Sequence, residues 1–457
     1  MENLKLKNFK ENIKGKKVAV LGLGVSNIPA IKYLNKCGAY IFAHDAKVDV
    51  NIDSVKDLDN IEFLLGEKSF SNLEQMDYIF RSPGVKPFNE KLEKAVKSGA
   101  VLTSEIEEVI NLAPCKIIGI TGSAGKTTTT TLISKLLEKS GRKIWVGGNI
   151  GTTLFEKLDE MKKDDLIVLE LSSFQLMTMK KSPNISIVTN IYQDHLDYHR
   201  SFEEYYMAKT NIFTHQKKGD VTILNLDDEF ESKFKNMVKN ANIREFSVKT
   251  PVENGSYYLD GSIYICTCGV TQKVIDVKDI MLKGMKNYLN ICAAICATID
   301  FINLKDIQEV LKEFKGVEHR LEFVDKIDGV EYYNDSISTT PGKASACLSA
   351  FDKKIIIIAG GYDKNVDYTD YGKQVVNAAK DIILMGDTKL KIKEAIKKTG
   401  NNNISVHDVE NMVEAVKLAK NIAKDGDIVV MSPASASFDM YKNYKDRGNH
   451  FKELVKK

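Results

Sequence analysis

A short glycine- and threonine-rich stretch, TGSAGKTTTTT, is the part of the sequence whose residue types most directly suggest chemistry. Gly122 and Gly125 permit a tight turn in which backbone N–H groups surround an anion. The apolar segment KIIGI predicts a strand before this turn, and TLISKLLEKSG predicts a helix after it. Because a helix N-terminus attracts negative charge, the stretch predicts a phosphate-binding loop. It departs from the strict pattern G-x-x-x-x-G-K-[ST], since Ile120 stands at the first glycine position.

In such a loop, the residues that follow the glycines contact the phosphates and the metal ion of a nucleotide. Lys126 can reach the outer phosphates of a nucleotide, and the Thr127 hydroxyl can bind Mg²⁺. Of the run of threonines, we expect a role only for Thr127 and, secondarily, Thr128. The predicted phosphate-binding residues are Gly122, Ser123, Ala124, Gly125, Lys126, Thr127 and Thr128.

Further polar side chains follow other predicted strands and helices. Glu170 ends the strand segment DDLIVLELSS, and His195 follows the strand segment ISIVTN. Lys209 lies in YYMAKTNIF, a predicted helix with apolar neighbours. A carboxylate at the end of a strand beside a phosphate loop can bind a divalent ion, whereas an isolated one is usually solvated. For Lys209 alone, a surface lysine is the simplest interpretation.

Alternating strands and helices must position these residues. KKVAVLGLG, AYIFAHD and MDYIFRSPGV read as strands with the helix AIKYLNKCG between the first two, and the pattern restarts after Ala113-Pro114 and near Gly316. Such alternation is typical of an α/β fold with parallel, doubly wound sheets. We expect domains over residues 1–112, 113–317 and 318–457, each on a mainly parallel sheet.

Composition excludes several classes of protein. The 457 residues carry 65 basic and 62 acidic side chains, a net charge of +3, which argues against binding nucleic acid through broad electrostatic attraction. The N-terminal residues have no apolar core, and no apolar run approaches the ~20 residues of a membrane span. Seven scattered cysteines favour reduced thiols. We therefore expect a cytoplasmic enzyme that does not insert into membranes, and, separately from the composition, we expect a monomer.

Taken in order, the motifs resemble those of the Mur ligase family, the ATP-dependent amino acid ligases of peptidoglycan precursor synthesis. TGSAGKTTT is similar to the loop TG-[TS]-x-GKT of that family, and ELSSFQL, NIYQDHLDYH, AKTNIF, KGMKNYLN and GVEHRLEFV follow in family order. The likeness covers essentially the whole chain. It implies a Rossmann-like N-terminal domain for a UDP-linked substrate, a P-loop ATPase-like central domain and a Rossmann-like C-terminal domain for the amino acid.

The resemblance also implies the cofactors, ATP and two Mg²⁺ ions. Lys126 and Thr127 would hold the phosphates and the first ion together with Glu170, and His195 would help bind the second. Lys209 resembles the family lysine that CO₂ converts to a carbamate, which is a metal-binding carboxylate. The other implied nucleotide contacts are adenine for Asn287 and Asn290, closure over ATP for His319 and Arg320, and ribose for Asp335.

The C-terminal segment MSPASASFDMYKNYKDRGNHF most resembles the family members that join D-glutamate to UDP-N-acetylmuramoyl-L-alanine through an acyl phosphate. The DNPR-type motif of the diaminopimelate- or lysine-adding members is absent. One departure is Ile337 in NDSISTTP, where many members have a lysine. The residues implied to contact the UDP substrate are Val25, Ser26, Asp45, Ala46, Gly84 and Asn149; those for D-glutamate are Thr339, Lys364, Ser437 and Tyr444.

Alternatives remain at this point. GLGVSN with Asp45 could bind NAD in a reductase, although Asn27 stands at the third glycine position. The phosphate loop could serve a motor that hydrolyses ATP, or a family member could use another amino acid. His195 is a candidate base for the attacking amine, but its implied metal role conflicts with that, and the base stays unassigned.

Overall fold

A computed structural model describes residues 3–24, 26–348, 350–351, 353–400 and 403–457. The chain divides into two compact units, Met1–Phe314 and Lys315–Lys457. The predicted α/β class is confirmed, because helices alternate with mainly parallel strands in both units. The three-domain division at residues 112 and 317 stays a prediction.

The first sheet of the larger unit has the order β3-β2-β1-β4-β5, and all its neighbours are parallel. This is the Rossmann order 3-2-1-4-5-6 without its last strand, and the crevice where the strand order reverses, between β1 and β4, lies at the strand carboxyl ends. The strands are β1 Lys17–Leu21, β2 Tyr40–Asp45, β3 Ile61–Leu65, β4 Tyr78–Arg81 and β5 Val101–Thr103, and the helices are α1 Leu4–Ile13, α2 Asn27–Lys36, α3 Glu90–Lys97 and α4 Glu105–Leu112.

The central sheet of the same unit has the order β14-β13-β12-β11-β10-β9-β6-β8-β7. Neighbours are parallel from β7 to β12, and β12, β13 and β14 form an antiparallel meander at one edge. The strands are β6 Lys116–Thr121, β7 Ile144–Gly148, β8 Leu166–Glu170, β9 Ile185–Val188, β10 Val221–Asn225, β11 Asn242–Ser247, β12 Gly255–Leu259, β13 Ser262–Thr267 and β14 Val270–Asp276. The helices are α5 Lys126–Glu138, α6 Ser173–Leu176, α7 Phe202–Thr210, α8 Glu231–Met237, α9 Met285–Thr298 and α10 Leu304–Glu313.

Burial on both faces explains why the central strands are almost continuously apolar. β8 and β9 are buried along their whole length, as is β6 apart from Lys116 at its start. Leu132 and Leu136 of α5 and Ile291 of α9 are fully buried in one shared core on this sheet. The apolar packing therefore anchors α5 so that its N-terminus lies at the carboxyl ends of the central strands.

The smaller unit has one sheet of order β15-β16-β20-β17-β18-β19, parallel except for the β15–β16 pair. Its strands are β15 Glu322–Ile327, β16 Val330–Asn334, β17 Ile355–Gly360, β18 Ala379–Met385, β19 Ser405–Asp408 and β20 Ile428–Met431. Its helices are α11 Pro341–Leu348, α12 Thr369–Ala378, α13 Lys389–Lys397, α14 Met412–Ile422 and α15 Tyr444–Lys456. Among all the described helices, none has the length and apolarity needed to cross a lipid bilayer.

Candidate active site

The predicted phosphate loop connects β6 to α5 and has backbone angles that favour glycine. Gly122 has φ 145° and Gly125 has φ 82°, both in the range that L-residues rarely adopt. A Cβ atom at Gly122 would lie 1.9 Å from Thr189 Oγ1, and one at Gly125 would lie 2.3 Å from Asn290 Oδ1. Both glycines are therefore required for conformation and for space, and the loop packs closely against its neighbours.

Asn190, which follows β9, holds the loop and was not predicted from the sequence. Its main-chain oxygen accepts from Ser123 N at 2.8 Å, and its side-chain oxygen accepts from Ala124 N at 2.8 Å. Thr189 Oγ1 donates to Ala124 O at 2.6 Å. The available signal was position, because Asn190 directly follows the apolar segment ISIVT, whose strand pairs with β6.

Side chains from α7 and from the start of α5 complete the surroundings of the loop. Ser123 Oγ lies 2.8 Å from the hydroxyl of Tyr205 on α7 and donates to Tyr192 O at 2.9 Å. Thr127 and Thr128 occupy the first turn of α5 and are half-buried. Main-chain N–H groups in a first turn have no intrahelical acceptor, so this turn can bind an anion.

Two lysines meet at one carbonyl of the loop. Lys126 Nζ donates to Gly122 O at 2.8 Å and to Ser123 O at 3.0 Å. Lys209 Nζ also donates to Gly122 O, at 2.9 Å, and lies 4.7 Å from the centre of the Tyr205 ring. Lys209 is only 2% exposed. Burial and then the positive charge of Lys126 hold the pKa of Lys209 well below its usual value, against a weaker opposing effect of nearby carboxylates.

Glu170 ends β8 next to the loop strand, with Glu170 paired to Ile120 in the register. It is 1% exposed, and its Oε1 accepts from Asn149 Nδ2 at 2.7 Å. Its other oxygen, Oε2, is buried and has no hydrogen-bond partner among the described residues. Burying a carboxylate oxygen without a hydrogen-bond donor is costly, and a bound cation would offset that cost. The oxygen is therefore suited to be a Mg²⁺ ligand.

Asn149, predicted to contact the UDP substrate, binds Glu170 in the structure. Besides the side-chain bond, Asn149 N donates to Glu170 O at 2.8 Å. Asn149 thus fixes the orientation of the carboxylate, and its predicted contact with the substrate stays a prediction.

His195 lies at the edge of the site formed by the phosphate loop, Lys209 and Glu170, and its side chain is 45% exposed. Its backbone has φ 54°, and its Nε2 is 3.4 Å from Asp194 Oδ2. The ring packs 4.8 Å from the ring of Phe174. The described residues contain no group of three or more His, Cys, Asp and Glu side chains placed to hold a metal ion. Mg²⁺ usually takes one or two protein ligands and completes its shell with waters and phosphate oxygens, so a site at Glu170 does not require such a group.

The predicted adenine-side asparagines lie at the start of α9. Asn290 is buried, and its Oδ1 accepts from Thr129 Oγ1 at 3.4 Å beside Gly125. Asn287, one turn earlier, is half-buried and donates to Lys283 O at 2.7 Å. The structure therefore places Asn290 against the loop and Asn287 on the same face of α9.

Four of the residues predicted to contact UDP, Ser26, Asp45, Ala46 and Gly84, lie at or after the carboxyl ends of β1, β2 and β4. Asp45 ends β2, and its two oxygens accept from Leu23 N at 2.8 Å and Lys47 N at 2.9 Å. Gly84 is exposed in the turn after β4, and Ala46 is exposed after β2. Ser26 precedes α2. Val25 lies outside the described residues.

Arg81 was not predicted from the sequence. Its side chain connects the crevice at the carboxyl ends of β1, β2 and β4 to the central sheet. The side chain is 1% exposed and donates to Val85 O at 2.7 Å and to Phe174 O at 2.8 Å. It therefore links the turn after β4 to the residue that packs against His195.

In the smaller unit, the predicted nucleotide residues precede or follow β15 and β16. His319 is 3% exposed and lies 2.9 Å from Asn334 Nδ2 through its Nδ1, and burial lowers its pKa. Asp335 is buried and accepts from Ser432 Oγ at 2.8 Å. Arg320 is exposed. The carboxylate and imidazole are thus engaged within the unit, and their roles toward ATP stay predictions.

The residues predicted to hold D-glutamate lie mainly in the loops of the smaller unit. Lys364 is exposed, with Nζ 5.7 Å from the centre of the Phe438 ring. Ser437 is buried, and Tyr444 begins α15. Thr339 N donates to Ile337 O at 2.8 Å.

Arg447, missed from the sequence, organises these loops. It is 1% exposed and donates to Ser336 Oγ at 3.0 Å, Ser435 O at 3.0 Å and Ala436 O at 2.9 Å. Burial lowers its pKa to about 10.

Family profiles match most of the chain. They are described as the Mur ligase MurD-like N-terminal domain over residues 16–104, the Mur ligase middle domain over 120–298 and the Mur ligase glutamate ligase domain over 319–435. The chain belongs to the Mur ligase family. Among Mur ligases, a protein named UDP-N-acetylmuramoylalanine--D-glutamate ligase from Clostridium beijerinckii is 47% identical over 454 residues, 98% of each chain. A protein of the same name from Clostridium botulinum strain Langeland is 46% identical over 98% of each chain.

Solved structures agree on the fold. The MurF ligase of Thermotoga maritima in complex with ADP has a TM-score of 0.55 at 20% identity, covering 98% of this chain and 96% of that one. A pseudomurein peptide ligase type C from Methanothermus fervidus has a TM-score of 0.54 at 19% identity, covering 97% and 99%. This Mur ligase therefore has the three-sheet fold of its family.

Proposed function

We propose that the chain is the ATP-dependent ligase that joins D-glutamate to UDP-N-acetylmuramoyl-L-alanine in peptidoglycan precursor synthesis. The observation that carries this is one constellation: a phosphate loop whose Gly122 carbonyl binds both Lys126 and the buried Lys209, beside the unpartnered oxygen of Glu170. A motor that only hydrolyses ATP has no use for a buried, readily deprotonated amine at this position. Relatives that match 98% of the chain bear the name of this ligase.

ATP would bind at the loop, with its phosphates on the first turn of α5 and its adenine toward Asn290 and Asn287. Mg²⁺, when bound, would neutralise negative charge on the phosphates. Glu170 Oε2 and the Thr127 hydroxyl are hard oxygen donors of the kind that Mg²⁺ prefers, and they fit the ion. His195 would help hold a second ion.

Lys209 would act as a carbamate. Carbamate formation requires a neutral amine, which adds to CO₂ and releases one proton. Burial and Lys126 favour the neutral amine, so the structure supports this modification. The product would place a carboxylate where the amine stood and add a further oxygen ligand for Mg²⁺ beside the loop.

The reaction activates a poor electrophile. The alanyl carboxylate of the UDP substrate attacks the γ-phosphate of ATP, which yields an acyl phosphate and ADP. The amine of D-glutamate then attacks the acyl carbon, and inorganic phosphate leaves. Lys126 Nζ, at the loop, would stabilise charge on the transferred phosphoryl group.

The substrates would be divided among residues 1–112, 113–317 and 318–457. The crevice formed by Ser26, Asp45, Ala46 and Gly84 would take the UDP group, and residues 113–317 would bind ATP. Thr339, Lys364, Ser437 and Tyr444 would hold D-glutamate, with Lys364 supplying positive charge where Ile337 cannot. Because it uses ATP and a UDP-linked precursor, the reaction would take place in the cytoplasm.

The test is release of ADP in the presence of UDP-N-acetylmuramoyl-L-alanine, with a panel of amino acids that includes both glutamate enantiomers. We expect release that requires the UDP substrate and D-glutamate together. Dependence on a different amino acid would reassign the acceptor, and release with no small-molecule dependence would contradict the ligase.

A further inference from the structure

A basic cavity opens at the amino ends of the central strands, on the sheet edge opposite the phosphate loop. We name it the amino-edge cavity. Its lining includes Lys116 and Leu166, which begin β6 and β8, and Asn184 and Asp220, which directly precede β9 and β10. β6 has 6 residues, and strands rise about 3.3 Å per residue, so the cavity and the loop are about 20 Å apart.

The cavity is lined by basic side chains that have no carboxylate partner within the described part of the chain. This contrasts with lysines elsewhere, for example Lys139, whose Nζ lies 3.1 Å from Glu309. The basic lining residues that form no ion pair with another described residue are Lys5, Lys116, Arg142, Lys163, Lys180, Lys181, Lys217 and Lys218; two of them, Lys116 and Arg142, lie over the ring of Phe301.

The lining also holds three carboxylates, Asp164, Asp165 and Asp220, but its eight Lys and Arg side chains outnumber them, so the cavity keeps a net positive charge. Asp165 Oδ2 accepts from the indole of Trp145 at 2.9 Å. Asp220 Oδ1 accepts from Asn184 Nδ2 at 3.1 Å, and its Oδ2 accepts from Lys217 N at 2.8 Å. The basic groups thus keep their capacity to bind an external anion.

His215 reports the same positive field. It lines the cavity, and its pKa is lowered by burial and further by Lys181 and Lys180.

We propose that the amino-edge cavity binds a small molecule that carries several phosphate groups. Its volume is about 900 Å³, within the range of about 300–1,000 Å³ typical of small-molecule sites. Ile110, Ala113 and Ile117 give it an apolar part that could accept a ring. A concave site in a chain with near-balanced charge fits a small polyanion better than a nucleic acid backbone, which needs an extended basic stripe. This site is separate from the proposed catalytic one.

Titration of the full chain with inorganic tripolyphosphate, with binding measured by calorimetry, tests the proposal. We expect two sites in the unmodified protein, at the phosphate loop and in the cavity. In the variant Lys180→Gln/Lys181→Gln/Lys217→Gln/Lys218→Gln, the cavity site should weaken by about tenfold or more, whereas the loop site should persist. The control Lys305→Gln/Lys312→Gln removes exposed charge from α10 and should keep both sites.

An identical isotherm for the cavity variant and the unmodified protein would overturn the proposal, as would an equal loss in the control. Ligation in the absence of added tripolyphosphate should be unchanged in the cavity variant, so the outcome does not depend on the proposed function. Displacement by ATP but not by a hexose bisphosphate would identify a nucleotide ligand, and the reverse a sugar phosphate. Cavity-dependent binding of RNA or of phosphatidylglycerol vesicles, without tripolyphosphate binding, would contradict a small-molecule site.

Discussion

Lys126 and Lys209 donate to the same acceptor, the carbonyl oxygen of Gly122, at 2.8 and 2.9 Å. Two ammonium groups at one oxygen repel each other, and the cost is greatest for the one that is removed from water. Lys209 is the buried member, so it is the amine that favours the neutral form. One lysine can then keep its charge for phosphate, and the other is available for covalent modification.

Replacing Lys209 should separate these two roles. We expect Lys209→Ala to lose about 100-fold in kcat, because the proposed carbamate oxygen is gone, and to regain part of it with formate or acetate in the buffer. Lys209→Arg introduces a permanent cation, cannot form a carbamate, and should be inactive without rescue. Full activity of Lys209→Ala in CO₂-depleted buffer would refute the carbamate.

Asn149 gives a test of the metal assignment, since it holds Glu170 Oε1 at 2.7 Å. Asn149→Ala frees the carboxylate to rotate, and loss of such a supporting bond typically costs about 10–100-fold in metal affinity or activity. We expect the Mg²⁺ concentration for half-maximal ligation to rise accordingly. A raised KM for the UDP substrate with an unchanged Mg²⁺ requirement would instead assign Asn149 to the substrate.

Gly125, in the phosphate loop, and Gly141, after the end of α5, are a matched pair of sites for substitution by alanine. Both have positive φ, 82° and 69°, but a Cβ at Gly125 would lie 2.3 Å from Asn290 Oδ1, whereas one at Gly141 meets no atom within 4 Å. Alanine at either site should cost about 1–2 kcal/mol of stability. Only Gly125→Ala should also displace Asn290 and raise the KM for ATP, by about tenfold. Steady-state kinetics and thermal unfolding separate the two effects, and equal KM values would show that Asn290 does not matter.

The burial of Glu105, the first residue of α4, predicts that the stability of the fold depends on pH. Burial raises its pKa to about 7, and its Oε2 has no partner among the described residues. Because the folded pKa exceeds the unfolded value near 4.5, stability is fully present below pH 4.5 and is lost as the pH rises through 7. The loss amounts to about 3 kcal/mol at 1.36 kcal/mol per pKa unit.

Glu105→Gln should remove that loss, so that denaturation midpoints measured from pH 4.5 to pH 8 fall less steeply with pH than in the unmodified protein. Glu90→Gln is the control, because Glu90 is also the first residue of its helix, α3, but its side chain is 81% exposed. An unchanged pH profile in Glu105→Gln would contradict the raised pKa.

The phosphate loop was predictable because its constraints are local. Gly122 and Gly125 fix the turn, the apolar β6 leads into it, and α5 begins directly after it. The strand ends at Asp45 and Glu170 were predictable for the same reason, since apolar runs ending in a carboxylate mark the carboxyl ends of parallel strands.

The residues that the sequence did not reveal are defined by distant partners. Arg81 bonds to Phe174, 93 residues away, and Arg447 bonds to Ser336, 111 residues away. Both bind mainly main-chain oxygens, which leave no trace in residue type. The meander of β12 to β14 was also missed, and its last strand, β14, begins with exposed residues rather than an apolar run.

The acyl-phosphate step is tested most directly by following a labelled oxygen of the substrate carboxylate. UDP-N-acetylmuramoyl-L-alanine with ¹⁸O in the alanyl carboxylate would be incubated with ATP, Mg²⁺ and D-glutamate, and the released inorganic phosphate analysed by mass spectrometry. If the carboxylate attacks the γ-phosphate, one ¹⁸O atom from each substrate molecule ends in the phosphate. Unlabelled phosphate would mean that water attacked ATP, and it would contradict the proposed ligase chemistry.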